Sequence, residues 1–166
     1  FLSDNIDEQI SLKDLLTAIT PLLHIPVVAA GGIGCAADIS AAMSLGASGV
    51  QIGTAFLLCP EADTSSVHRH ALRNQHNAET ALTNVFSGRP ARSIINRIID
   101  EIGPFNPLAP TFPLAGTAIG PLRSHAESLA SGDFSPLWAG TNNKHCRDIP
   151  AAQLLAELAT GLAQRI

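Results

Sequence analysis

Residues 26–33, Pro-Val-Val-Ala-Ala-Gly-Gly-Ile, and residues 45–57, Leu-Gly-Ala-Ser-Gly-Val-Gln-Ile-Gly-Thr-Ala-Phe-Leu, decide how this chain folds. A short apolar run that ends in glycines reads as a buried parallel strand entering a tight loop. Pro26–Ala30 followed by Gly31-Gly32 fits that pattern, and so does Gly49–Ile52 followed by Gly53-Thr54. Between them, Ala36–Leu45 is rich in small residues and reads as a helix closed by Gly46, a natural C-terminal cap. Strand, helix and strand with apolar strands make the βαβ unit of a parallel sheet. The fold class is therefore α/β.

Working outward, residues 11–23 read as a helix. Ser11 and Asp14 make a capping-box-like start, Leu12, Leu15, Leu16 and Ile19 share a face, and Pro21 loosens the last turn. Residues 60–77 read as a polar loop and a solvent-facing helix starting near Thr64. Ala81–Phe86 is expected as a short strand, Ser87–Arg92 as a turn, and 93–102 as a helix. Pro104, Pro107, Pro110 and Pro113 predict an extended connection, and Pro121 is placed at the first position of a helix. Asp133–Asn143 reads as a loop around Trp138. Residues 150–166 read as a final amphipathic helix with Leu154, Leu155, Leu158 and Leu162 on one side. By chain order this divides into 1–78, with the strands and their helices, and 79–166, mostly helical.

Composition narrows the function. The 166 residues are 46% hydrophobic and 14% charged, enough apolar content for a real core. The net charge is −4 and no Lys/Arg run occurs, so a nucleic-acid partner is not expected. Aromatics are 4% and Tyr is absent, which argues against a base-stacking platform. No apolar run reaches the roughly 18 residues that span a bilayer, no signal peptide is visible, and a cytoplasmic location without a membrane partner is expected. Cys35, Cys59 and Cys146 are odd in number and have no CxxC spacing, so they read as reduced thiols rather than a zinc site or disulfide framework. The chain opens on Phe1 without a lead-in element, which suits a fragment, a processed chain or a gene product that began elsewhere.

The chemistry concentrates in the two glycine ends. In (β/α)8 barrels the loops after strands seven and eight commonly bind a phosphate. Glycine lets backbone amides approach an anion closely, a following helix adds N–H donors, and the Thr54 hydroxyl adds another. The plain competing reading is a pair of tight turns. Elsewhere the signals are weaker. His24, His68, His70, His76, His125 and His145 show no ligand spacing, and His68 and His70 do not share a helix face, so a solvated surface is expected and no metal site, with His24, ahead of a strand, read as a packed or rim residue. Arg89 and Arg92 are open to two roles, an anion clamp or a cap and ion pair with Asp100 or Glu101. Trp138 reads as packing, and Ser87 lacks the partners of a hydrolase triad.

PVVAAGGI and LGASGVQIGTAFL together resemble the FMN phosphate-binding segment of nitronate monooxygenases, formerly 2-nitropropane dioxygenases. TNVFSGRPARSIIN (83–96) resembles the next region of that family, and FPLAG, PLRSHA and LWAG resemble its tail. The resemblance implies the C-terminal part of a (β/α)8 TIM barrel of the FMN-dependent type, with a mostly helical C-terminal extension. It implies that Gly31 shapes the turn, that Gly32 contacts the flavin phosphate or ribityl chain, and that Gln51, Ile52, Gly53 and Thr54 hold the phosphate. The implied activity is FMN-dependent oxidation of an alkyl nitronate by O2 to a carbonyl compound and nitrite. Two alternatives stand beside it: an FMN-dependent enoyl-acyl-carrier-protein reductase, which shares the flavin segment, and a catalytically inactive truncated fragment. The family's catalytic histidine lies in an Ala-Gly-Gly-His-x-Gly motif, which is not in this sequence and would precede Phe1, so no catalytic residue is assigned here. Homo-oligomerisation is left open. Two departures stand out. Gly34-Cys35-Ala36-Ala37-Asp38 replaces the family's usual polar helix start, and Gly140-Thr141 replaces Gly-Gln after Trp138-Ala139.

Overall fold

The expected strand–helix–strand unit is present in the computed structural model, which describes residues 5–74 and 79–162. Strand β1 (Val28–Ala30) pairs in parallel with β2 (Gly49–Gln51). Ahead of β1 lies helix α1 (Leu12–Ile19), and between the strands runs α2 (Ala36–Ser44). Ser11 caps α1: its hydroxyl accepts from the Asp14 N–H at 3.1 Å and donates to the Asp14 carboxylate at 2.6 Å. Pro21 sits in a 3-10 turn at Thr20–Leu22, the loosening expected of it. Gly46 has φ +91°, the left-handed conformation of a helix stop, and the Thr20 side chain packs where a Cβ would be.

Further along the chain come α3 (Ser66–Asn74), the antiparallel pair β3 (Thr80–Thr83) and β4 (Ala91–Ile94), then α4 (Arg97–Ile102) and α5 (Ala115–Ser128). Helix α6 (Ala151–Ala159) closes the described chain, and no described helix is long and apolar enough to cross a membrane. By contacts there are two compact units. One joins 9–63 with 141–162, and the other joins 5–8 with 64–140. Chain order at 78/79 describes a different partition, because the tail after Gly140 returns to the βαβ unit.

The first unit has a continuous apolar core of Leu16, Ala29, Ile33, Ile39, Ala42, Ala47, Ala55, Cys59, Leu154 and Leu158. Small side chains on α2 let the helix lie close to the sheet. Leu154 and Leu158 are four residues apart on α6 and enter the same core. In the second unit Val85, Phe86 and Ile99 are buried together, and Trp138 meets Phe86 edge-on at 5.7 Å.

Three expectations are corrected in that second unit. The segment expected to begin a helix at Ser93 is instead strand β4. Ser93 and Ile94 are buried, Ser93 faces Ala81 across the ladder, and it bridges Trp138 on its other side. Pairing on both sides outweighs helix propensity, so α4 waits until Arg97. Helix α5 starts six residues before Pro121 and carries it inside. The ring costs the hydrogen bond to the carbonyl one turn earlier, yet the helix runs through it, with Ala115 buried at its start and Ala126 buried beyond the proline. His68 is only 9% exposed, not on a solvated surface. Burial pushes its imidazole below the ordinary value of 6.5, against a weaker opposing hydrogen bond with the Trp138 backbone. The expected end of the 60–77 helix, with His76, falls outside the described residues.

Candidate functional site

The register decides where the glycines go. Val28 pairs with Gly49, Ala29 with Val50 and Ala30 with Gln51, so Gly31-Gly32 and Ile52-Gly53-Thr54 leave the sheet at the same end, after the last residues of the two strands. Gly31 (φ +101°) and Gly32 (φ +70°) occupy the left-handed region that excludes most side chains. Gly53 does not, with φ −111°. A Cβ added to Gly31 or Gly53 would meet nothing within 4 Å. The fold of this unit therefore gives no packing reason for Gly53; its missing side chain leaves open space over backbone. Gln51, Gly31, Gly32 and Gly53 are exposed, and Thr54 is half-buried at the start of a 3-10 turn, Thr54–Phe56. Ile52 packs its side chain against the core, so it can serve a ligand only through its backbone.

What holds these loops was not anticipated. The Asn142 amide donates to the Gly32 carbonyl at 3.1 Å and to the Asp38 carboxylate at 2.7 Å. The Cys146 thiol donates to the Thr54 carbonyl at 3.0 Å. Burial, with Cys59 nearby, pushes that thiol up to about 11, so it keeps the proton it donates. Residues 142–146 thus fasten both glycine ends. The polar run Thr141-Asn142-Asn143 was the available signal, but its partners are far away in the chain.

The Asp38 carboxylate also accepts from the backbone N–H groups of Gly34 and Cys35, at 2.9 and 3.1 Å. Burial raises its carboxyl, but those bonds, the Cys35 side chain and the His145 charge outweigh it and hold Asp38 below its ordinary 3.8. Asp38 supplies the polar helix start that Cys35-Ala36-Ala37 lacked in the sequence. Both N–H groups at the start of α2 are thus taken up by Asp38.

Arg89, Arg92, Ser87 and Trp138 belong to the other unit. Arg92 reaches across the ladder to the Thr80 carbonyl and hydroxyl, both at 3.2 Å, and Glu101 pairs with Arg97 instead. Ser87 closes a local turn: it donates to the Arg89 carbonyl at 2.8 Å and accepts from the Arg89 N–H at 3.2 Å.

Residues 4–161 match the family described as nitronate monooxygenase. The chain belongs to the nitronate monooxygenase family. It is 44% identical over 139 residues to the nitronate monooxygenase of Pseudomonas aeruginosa, a match covering 83% of this chain and 40% of that protein. The probable nitronate monooxygenase of Bacillus subtilis is 35% identical over 159 residues, covering 95% of this chain and 46% of that one. This chain thus spans less than half the length of these two nitronate monooxygenases. Among solved structures, the nitroalkane oxidase of Streptomyces ansochromogenes superimposes with a TM-score of 0.84 at 40% identity, over 93% of this chain and 44% of its own. FabK of Thermotoga maritima superimposes with a TM-score of 0.72 at 26% identity, over 94% of this chain and 50% of its own.

Proposed function

We propose that this chain carries the flavin-phosphate anchor of an FMN-dependent nitronate monooxygenase, with β1 and β2 as the last two strands of a (β/α)8 barrel. The observation that supports the anchor is the pair of glycine loops leaving the same end of the sheet in register, with open space above Gly31 and Gly53. A phosphate fits that space: its oxygens need N–H donors at close range, and a Cβ at either position would occupy the approach. Gly31 and Gly32 shape the first loop, and the backbone of Ile52, Gly53 and Thr54 lines the second. Thr54 adds its hydroxyl, and Gln51 an exposed amide. Asn142 and Cys146 keep both loops in place by holding the carbonyls of Gly32 and Thr54.

When bound, FMN supplies the electron chemistry that carries an alkyl nitronate and O2 to a carbonyl compound and nitrite. The residues of this chain orient that group by its phosphate end and leave the reaction to the other end of the cofactor.

The deciding experiment is Gly53→Val in the natural protein that carries this chain. Purified variant and wild type are compared by flavin absorbance and circular dichroism. The expected result is an unchanged fold, since no atom lies within 4 Å of the new Cβ, and FMN affinity lower by at least about tenfold, or ~1.4 kcal/mol. Undiminished FMN content would sink the anchor. Nitrite release from an alkyl nitronate supports the monooxygenase; NAD(P)H consumption with an enoyl thioester, without nitrite, would replace it with the reductase.

A further inference from the structure

Asn142 leads to a second cluster behind the glycine loop. Cys35 stands at the N-terminal cap of α2, Asp38 lies one turn into that helix, and His145 comes from the returning tail. A thiol sulfur, a carboxylate oxygen and an imidazole nitrogen from these three residues all lie within 4.8 Å of one another. All three residues are half-buried, and Cys35 and His145 line a cavity of about 310 Å³, with Gly34, Arg147 and Glu157 on its wall. Gly34 makes the approach of His145 feasible. A Cβ there would come within 3.0 Å of the His145 side chain and 3.2 Å of the Asn142 carbonyl oxygen.

We propose that Cys35, Asp38 and His145 form a binding site for a divalent transition-metal cation of the Zn(II) or Co(II) kind. The donor set selects that class. A thiolate disfavours Mg(II) and Ca(II), which take oxygen ligands, while sulfur, nitrogen and oxygen together suit a four-coordinate borderline cation. Metal–ligand bonds of about 2.0–2.3 Å in a tetrahedron place ligand atoms roughly 3.3–3.8 Å apart. From a separation of at most 4.8 Å, the ligand atoms would have to draw together by about an ångström on binding. The outer shell is already built. The Asp38 Oδ2 accepts from Gly34 N–H, Cys35 N–H and Asn142 Nδ2, bonds of the kind that orient a ligating carboxylate. Glu157, on the cavity wall, is engaged by Arg147 and Gln153, which leaves the fourth position to water or an exogenous ligand. On binding, the metal–sulfur bond replaces the Cys35 S–H bond and the proton leaves to solvent, with no change in oxidation state.

Such an ion would clip the tail at His145 to the start of α2. The spacing rules for metal motifs miss it, because His145 arrives through the fold and not through a local repeat.

The test is a Co(II) titration of the full chain, followed by absorbance. The expected result is one Co(II) per chain with a thiolate-to-cobalt charge-transfer band. Cys35→Ser should abolish the band, and His145→Gln should weaken binding tenfold or more. A wild-type chain without the band, or variants that keep it, overturns the site. Alkylation of the wild type, mapped by peptide mass, covers the case of a variant that fails to fold. Zn(II) should slow modification of Cys35 and leave Cys59 and Cys146 unaffected; equal labelling of Cys35 with and without Zn(II) also overturns it.

Discussion

At the scale of single residues, His68 shows how burial becomes pH dependence. Its Nε2 is buried without a hydrogen-bond partner, so a proton there would place an unpaired charge in the interior. Burial therefore lowers its folded value below 6.5, and the hydrogen bond with the Trp138 backbone only partly opposes this. The unfolded chain binds the proton more readily, so stability rises with pH in this range. The contribution of neutral His68 is present above 6.5 and is lost as pH falls through the lower folded value. Urea unfolding of wild type and His68→Gln at about pH 7.5 and about pH 5.5 checks the sign. Wild type should lose more stability on acidification than the variant, and parallel losses would show that His68 does not carry the dependence.

At the scale of elements, the turn between β3 and β4 depends on Gly88. Its φ is +81°, and a Cβ would run into the backbone of Pro110, Thr111 and Phe112. Gly88→Ala should cost at least about 2 kcal/mol, combining left-handed strain with a backbone collision that no side-chain rotation relieves. Thermal unfolding measures it; a loss below about 0.5 kcal/mol would mean that the 110–112 segment yields easily. The same region shows what was readable beforehand. SGRPAR announced a turn through Ser87, Gly88 and Pro90, but not that Ser93 would be buried between Ala81 and Trp138. The βαβ unit was legible because its signals are local: two apolar runs, two glycine ends, and Gly46 as a stop. The clasp of that unit was not. Asn142 and Gly32 are 110 residues apart, and a side-chain amide on a backbone carbonyl leaves no periodicity to detect. Pro121 misled for a related reason, since proline favours a first helical turn locally while the stretch 115–120 ahead of it carries no local start signal.

At the scale of the whole molecule, the βαβ unit presents apolar side chains that a self-sufficient domain would cover. Among the described residues β1 pairs only with β2, and the segment leading into it is open, with Leu22 75%, Ile25 69% and Val28 59% exposed. A parallel strand with a free edge is a template for further pairing, and such sheets are normally covered on both faces. In the proposed barrel the preceding strand would take that edge. The chain expressed as these 166 residues should therefore self-associate through it. Ile25→Lys with Val28→Lys places charge on the segment and the edge without touching the glycine loops, and should weaken association by about tenfold, near 1.4 kcal/mol. Sedimentation velocity over a range of concentrations reads this directly. A wild-type chain that stays monomeric, or a double variant that associates equally well, would mean that this edge is not sticky, and the strongest physical reason for a neighbouring strand would fall with it.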